Sequence, residues 1–401
     1  MKKDIEKLME NILFSKEAAD YLGITVQRLN QLVHDGQITP VKKGSAGMLF
    51  YKPDIEARRV SINSIGINIS KSDYSVPMKI DSAIKQEAVN YYTIQSFYNG
   101  SAKTAFPIFT ELKEEFDVSQ PLLNFSEIVS KRLNINIQLL EEAYQTVEKG
   151  FLRLRQSDVI LKKGNDDFPE NLATTDQAPP FLFARGDIEL LKQKIVSVVG
   201  SRKASPEGCD KAYRLSSLLG RYQIVVASGL ARGIDTQAHM AALKENNGRT
   251  IAVIGTSLET AYPAENKYLQ EKISEKGLLL SQFAPSEKVQ RWFFPVRNAV
   301  MSGISLATVV VEAGETSGAL KQADYALKQN RFVFIPQSAL DNNKIKWPKK
   351  YITQRGAHKF RTIKDLLEQL QQIPIFKNTN AVTELALFQD DLTEVEYVSE
   401  S

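Results

Sequence analysis

The stretch Ile195-Val196-Ser197-Val198-Val199-Gly200-Ser201-Arg202-Lys203-Ala204-Ser205-Pro206 decides the fold. A short run fit to be buried on both faces enters a glycine, a basic tip and a Ser-Pro pair of the kind that starts a helix. The pattern recurs: with 195–199 as the first strand, others are expected at 223–227, 250–254, 277–281, 307–311 and 331–335. Each is followed by a polar turn and an amphipathic stretch of helical length. Such alternation predicts an α/β fold, a doubly wound, mostly parallel Rossmann-like sheet. Open sheets of this kind bind ligands beyond the carboxyl ends of their strands.

Two of the loops at those ends carry chemistry. In Gly200-Ser201-Arg202 the glycine permits close backbone approach, the amides at the helix start are expected to point outward, and Arg202 can pair with a phosphate. An ordinary strand-to-helix turn with a solvated arginine is the plainer alternative. The second loop runs Ser228-Gly229-Leu230-Ala231-Arg232-Gly233-Ile234-Asp235. Its glycines flank Arg232, turning the guanidinium toward the cleft, and Asp235 is expected to cap the helix that follows.

Lys203, Ala204 and Ser205 stand where a dinucleotide fingerprint needs glycines, and no Gly-x-x-x-x-Gly-Lys-Ser/Thr loop occurs. Redox cofactors and motor-type nucleotide hydrolysis are therefore disfavoured. His34, His239 and His358 are scattered and Cys209 is alone, which argues against a zinc site. No cofactor or metal is expected.

Outward from this core, the 401 residues divide into 1–60, a helical connector over 61–154, the Rossmann-like domain over 155–372 and an acidic tail over 373–401. Residues 12–58 read as a winged helix-turn-helix. Ser15 can cap a first helix, Gly23 close it and Thr25 cap a second, and Val41 to Tyr51 look like a hairpin. The Ser-x-x-Ala-Ala-x-x-Leu-Gly pattern, the Thr-started helix and the basic wing resemble the MerR/excisionase-like DNA-binding family. In that arrangement Gln27, Arg28 and Gln31, with Asn30, would meet a major groove of duplex DNA while Lys42 and Lys43 meet phosphates. A protein-binding helical hairpin is the alternative. Between 61 and 150, helices are expected near 81–97, 107–116, 125–132 and 137–149, broken at Asn99-Gly100, Pro107 and Pro121.

Hydrophobic residues make up 43% and charged residues 24%, an ordinary globular balance. The net charge of +4 is too small to identify a nucleic-acid binder, so local clustering must carry that argument. Asp390, Asp391, Glu394, Glu396 and Glu400 make the rest of the chain more basic than the total. One cysteine suits a reducing compartment, Met1-Lys2-Lys3-Asp4 opens without an apolar signal core, and no apolar run is long enough to span a membrane. A cytoplasmic location with no membrane association is expected.

The two loops, taken with further blocks in order, resemble the DNA-processing protein A (DprA/Smf) family. Among these blocks are Phe168-Pro169-Glu170-Asn171-Leu172, Phe183-Ala184-Arg185-Gly186, Tyr262-Pro263-Ala264-Glu265-Asn266, Phe294-Pro295-Val296-Arg297-Asn298, Ser317-Gly318-Ala319-Leu320 and Arg355-Gly356-Ala357. The resemblance covers about half the chain. It implies a non-catalytic protein that binds single-stranded DNA, acts as a homodimer and loads a RecA-type recombinase in transformation or recombination. By motif position it implies phosphate contacts at Gly200, Ser201 and Arg202, a further contact at Lys267, and Gly229, Arg232 and Arg297 along the same cleft. For Arg232 and Arg297 an internal ion pair is the alternative. Trp292, Phe293 and Phe294 could stack on bases or lie buried, while Lys344, Lys346, Lys349 and Lys350 around Trp347 and Tyr351 suit a single strand, with a solvated lysine face as the alternative.

This sequence departs from the family at Ala299, at Gln337 and in the run before Arg355, and the optional C-terminal winged helix is not expected in 373–401. Two other readings stay open. One is a regulator or defence protein whose N-terminal unit binds duplex DNA and whose Rossmann-like part senses a nucleotide. The other is a hydrolase like the LOG phosphoribohydrolases, for which Glu312 and Glu315 would be the available carboxylates.

Overall fold

The computed structural model describes residues 82–373 except 246 and 247, together with 12–22, 26, 29, 30, 33, 40–44 and 47–52. The chain divides into two compact units, Met1–Val76 and Pro77–Ser401. Among the described residues no helix is long and apolar enough to cross a membrane.

In the first unit β1 (Ile12–Phe14) leads into α1 (Ser15–Leu22), and the expected hairpin forms from β2 (Lys42–Gly44) and β3 (Gly47–Tyr51). Antiparallel pairing orders the strands β1-β3-β2. The amide of Phe14 donates to the Glu17 carboxylate at 2.8 Å, while the Ser15 hydroxyl turns to β3, donating to Met48 O at 3.2 Å and accepting from Met48 N at 3.3 Å. Ser15 thus ties helix to hairpin instead of capping. Ala18, Ala19, Leu29 and Phe50 form a small core. Positions 26, 29, 30 and 33 are helical, whereas Gln27, Arg28 and Gln31 lie outside the described residues. Residues 374–401, and with them the expected acidic tail, also lie outside.

The second unit begins with α2 (Ser82–Ser96), α3 (Ala102–Glu115), α4 (Ser126–Leu133) and α5 (Ile137–Phe151). The expected break at Pro107 does not occur. Pro107 sits inside α3 at its sixth position, past the free amides of the first turn, and forfeits one intrahelical hydrogen bond without ending the helix. These helices do more than connect. Tyr91, Tyr92, Phe109 and Phe151 pack in one cluster with Phe181, Phe183, Ile254 and Leu279, so they cover one face of the sheet.

The sheet follows as β4 (Val159–Lys162), β5 (Phe181–Gly186), β6 (Ile195–Gly200), β7 (Val225–Ser228), β8 (Thr250–Val253), β9 (Leu278–Ser281), β10 (Ala307–Glu312), β11 (Phe332–Pro336) and β12 (Ala357–Phe360). Between them run α6 (Pro206–Arg221), α7 (Ile234–Glu245), α8 (Lys267–Lys276), α9 (Phe293–Ile304) and α10 (Gly318–Lys328), with α11 (Ile363–Gln372) after β12. The order is β12-β11-β10-β6-β7-β8-β9-β5-β4, parallel from β12 to β9, with β5 and β4 antiparallel at the edge.

All six strands expected from the apolar runs are present. Their side chains divide between two cores as buried parallel strands require: Ile195 and Val199 face one cluster, Val196 and Val198 the other. From β6 the chain winds outward through β7, β8 and β9, then crosses back to place β10 on the other side of β6. The switch point therefore lies between β6 and β10, and the loops leaving these strands diverge to open a crevice.

Candidate nucleic-acid interface

The crevice is a cleft of about 520 Å³ walled by the loop after β6, the loop after β10 and the starts of α9 and α10. It continues into a second hollow of about 510 Å³ beside the loop after β7. Arg202, Lys203, Ala231, Phe294 and Arg297 line both.

The loop after β6 is fixed from β10. Ser201 N donates to Glu312 O at 2.7 Å, and the Glu312 carboxylate accepts from Ser205 N at 3.0 and 3.2 Å and from the Ser205 hydroxyl at 2.5 Å. Ser205 caps α6 in turn, its hydroxyl accepting from Gly208 N at 3.0 Å. Here the structure corrects the expectation of outward-pointing amides: Glu312 already supplies negative charge at the start of α6. The rest of Ser201 is also engaged, its hydroxyl accepting from Lys203 N at 3.1 Å and its carbonyl from Ile234 N at 3.3 Å. What the loop presents to solvent is Arg202 and Lys203. Both side chains are exposed, and the Arg202 guanidinium has no hydrogen-bond or ion-pair partner among the described residues.

The loop after β7 is held by a buried network. Asp235 accepts from Gly229 N at 3.1 Å and Ala231 N at 3.3 Å, so it closes the loop and does not serve as the expected helix cap. Arg297 is 5% exposed; it donates to Gly229 O at 2.6 Å, to Val253 O, and through Nε to Asn298 Oδ1 at 3.0 Å. A Cβ on Gly229 would lie 2.4 Å from that guanidinium, so only glycine permits the approach. Gly233, at φ +74°, makes the left-handed turn that an L side chain would resist.

Burial pushes the Asp235 carboxyl pKa up, against the opposing pull of Arg297 and the two amides. Burial likewise lowers Arg297 to about 10, with Asp235 acting against the shift and nearby Arg202 adding to it. Arg297 is therefore the floor of the cleft, with most of its donors committed to protein. His239 lies beneath it, fully buried. Its Nδ1 is 2.7 Å from the Thr250 hydroxyl, which itself donates to Val226 O, so Nδ1 carries the proton and Nε2 has no partner among the described residues. Burial, reinforced by Arg297, brings its pKa down to about 3.

Arg232 is exposed and pairs with Glu265. Asn266 anchors the neighbouring turn, its amide donating to Leu230 O at 2.9 Å, Ala231 O at 3.3 Å and Thr236 Oγ1 at 3.0 Å. Lys267 is exposed at the start of α8 and does not line either hollow. The rings separate. Phe294 lies between the two hollows, 5.0 Å from the half-exposed Tyr262, whereas Phe293 is buried and stacked on Phe283. Trp292 is partly exposed beside Gly100, at a different cavity.

Trp347 and Tyr351 are core residues, their polar ends satisfied by Ala313 O at 2.8 Å and by Asp324 Oδ1 at 2.5 Å. They do not form a stacking platform with the exposed lysines around them. Glu315 accepts from Lys346 N and from Trp347 N at 3.2 Å, so both carboxylates of the loop after β10 are committed to backbone amides. Tyr262 and Glu265 line the hollow although the sequence marked neither as a cleft residue; the signal was their place in Tyr262-Pro263-Ala264-Glu265-Asn266.

Residues 159–371 match the family described as DNA recombination-mediator protein A. DNA processing protein DprA of Streptococcus pneumoniae is 43% identical over 178 residues, which is 44% of this chain and 62% of that protein. The Bacillus subtilis DNA processing protein DprA is 34% identical over 235 residues, 58% of this chain and 78% of the relative. The X-ray structure of the pneumococcal protein aligns with 73% of this chain and 99% of its own, at a TM-score of 0.55 and 30% identity. On the family match and these relatives, the chain belongs to the DNA recombination-mediator protein A family.

Proposed function

We propose that the second unit binds single-stranded DNA along the cleft at the ends of β6 and β10, with Arg202 gripping a backbone phosphate. The observation that carries this reading is the Arg202 guanidinium, unpartnered among the described residues on a loop pinned from both ends by Glu312. A planar fork held ready on rigid backbone suits a phosphate, and Lys203 adds a second exposed cation. Tyr262 and Phe294 offer ring faces beside these charges, the combination that tracks single strands without reading sequence. Asn298 and Gln322, the amide side chains lining the cleft, already hydrogen-bond to protein, which favours sequence-tolerant binding.

A LOG-like hydrolysis is disfavoured because Glu312 and Glu315 both hold backbone amides. The role that follows is DNA processing in uptake or recombination, with a homodimer placing a RecA-type recombinase on the bound strand. The first unit is read as a duplex-binding helix-turn-helix using Gln27, Arg28, Gln31, Lys42 and Lys43, supported by the basic hairpin whose Lys42 is exposed.

The test is a titration of the full chain with a single strand, a duplex of equal length and a mononucleotide. Arg202→Ala is expected to weaken single-strand binding roughly tenfold and flatten its log K against log salt slope by about 0.7. The joint Lys42→Ala and Lys43→Ala variant should lose duplex binding alone. Equal affinity for single strand and duplex with no effect of Arg202→Ala would overturn the reading.

A further inference from the structure

Among the side chains lining the hollow beside the β7 loop, one is acidic. Glu265 stands with Arg202, Lys203, Arg232 and Arg297, and it is paired with Arg232. Neither partner is buried: Arg232 is 63% exposed and Glu265 60%. An exposed pair of this kind contributes little to folding, about 0 to 1 kcal/mol, so stability gives no reason for its presence.

The backbones beneath the pair are nonetheless rigid. Asn266, next to Glu265, donates to two carbonyls of the Arg232 loop and to Thr236. Gly233 makes the turn immediately after Arg232 at φ +74°, and the next amide, Ile234 N, donates to the Ser201 carbonyl at 3.3 Å. The pairing is therefore preset by the fold while remaining weak enough to be exchanged for another anion.

Building on the single-strand reading, we propose that Glu265 is a competing carboxylate that occupies Arg232 in the free protein and must yield it to a nucleic-acid phosphate. Glu265 then stays at the rim as a negative charge facing the bound backbone. Its two effects have the same sign. It withholds a cation before binding and repels the strand afterwards, so it lowers affinity and eases release without touching the Arg202 contact. Arg202 and Lys203 form the permanent grip, and Arg232 is the adjustable one.

The test is fluorescence anisotropy of a labelled oligothymidine with the full-length protein and the variants Glu265→Gln, Arg232→Ala, their combination and Arg202→Ala, each at several salt concentrations. Glu265→Gln is expected to tighten binding roughly threefold to fivefold at low salt, with the gain shrinking as salt rises and screens the charge that was removed, which steepens the log K against log salt slope. In the Arg232→Ala background the same change should give a markedly smaller gain, because no cation is released. If Glu265→Gln leaves affinity and slope unchanged, or helps equally with and without Arg232, the proposal fails. Loss of binding in Arg202→Ala beside an unresponsive Glu265→Gln would sink this inference alone. No loss in Arg202→Ala would remove the single-strand reading beneath it as well.

Discussion

At Gly229 a single hydrogen atom decides whether the cleft has a floor. Arg297 lies so close that a Cβ would meet its guanidinium at 2.4 Å, and Arg297 in turn holds the ends of β7 and β8 through Gly229 O and Val253 O. Gly229→Ala is expected to cost about 2 kcal/mol or more, read as a lower urea midpoint with an unchanged m value, because a buried charge is displaced from its acceptors. Arg185 makes a similar commitment at the antiparallel edge, bonded to buried Asp158 at 2.7 and 2.8 Å. Arg185→Met would strand that carboxylate and destabilise the fold by about 3–5 kcal/mol in denaturant titrations.

His239 makes the fold less stable in acid. In the unfolded chain it takes a proton below its ordinary value of 6.5, but in the folded protein only near 3. Between those values the unfolded state binds more protons, so stability falls as pH falls, by up to roughly 1.4 kcal/mol per unit from this group. Relative to wild type, His239→Gln should gain stability progressively from pH 6.5 downward, measured as the difference between their urea midpoints.

At the scale of elements, Glu312 joins β10 to the loop after β6 and to the start of α6. Glu312→Ala removes a negative charge near the cleft, so charge alone would tighten nucleic-acid binding. Loss of the clamp works the other way, freeing the Arg202 loop and costing about 1–2 kcal/mol at the helix start. The clamp is expected to win, with single-strand affinity dropping in the same titration. That contact was invisible in the sequence because it spans 107 residues. Six of the seven parallel strands were legible, since runs such as Val309 and Val310 are apolar on both faces and punctuated by polar turns. β5 was missed as a strand because it stands outside the repeating strand-and-helix alternation, pairing antiparallel to β9 at the end of the parallel run. Trp347 and Tyr351 stayed undecided for a simpler reason: rings among lysines look alike whether they face solvent or, as here, the core. Arg202 was legible as a candidate, but its freedom from partners could be read only from the folded loop.

At the scale of the molecule, the second unit has its own nine-stranded sheet and large cores, and its cleft is built wholly from its own loops. A chain lacking residues 1–76 should therefore keep the single-strand affinity and salt slope of the full protein while losing duplex binding, both read by anisotropy. The Glu312 carboxylate at the head of α6 reaches further. Open α/β sheets commonly seat a nucleotide's phosphates at the first such helix start, where the fold now carries an anion of its own. That seat is filled in advance, so a mononucleotide is expected to find no berth at the head of α6, which the mononucleotide arm of the titration reads directly.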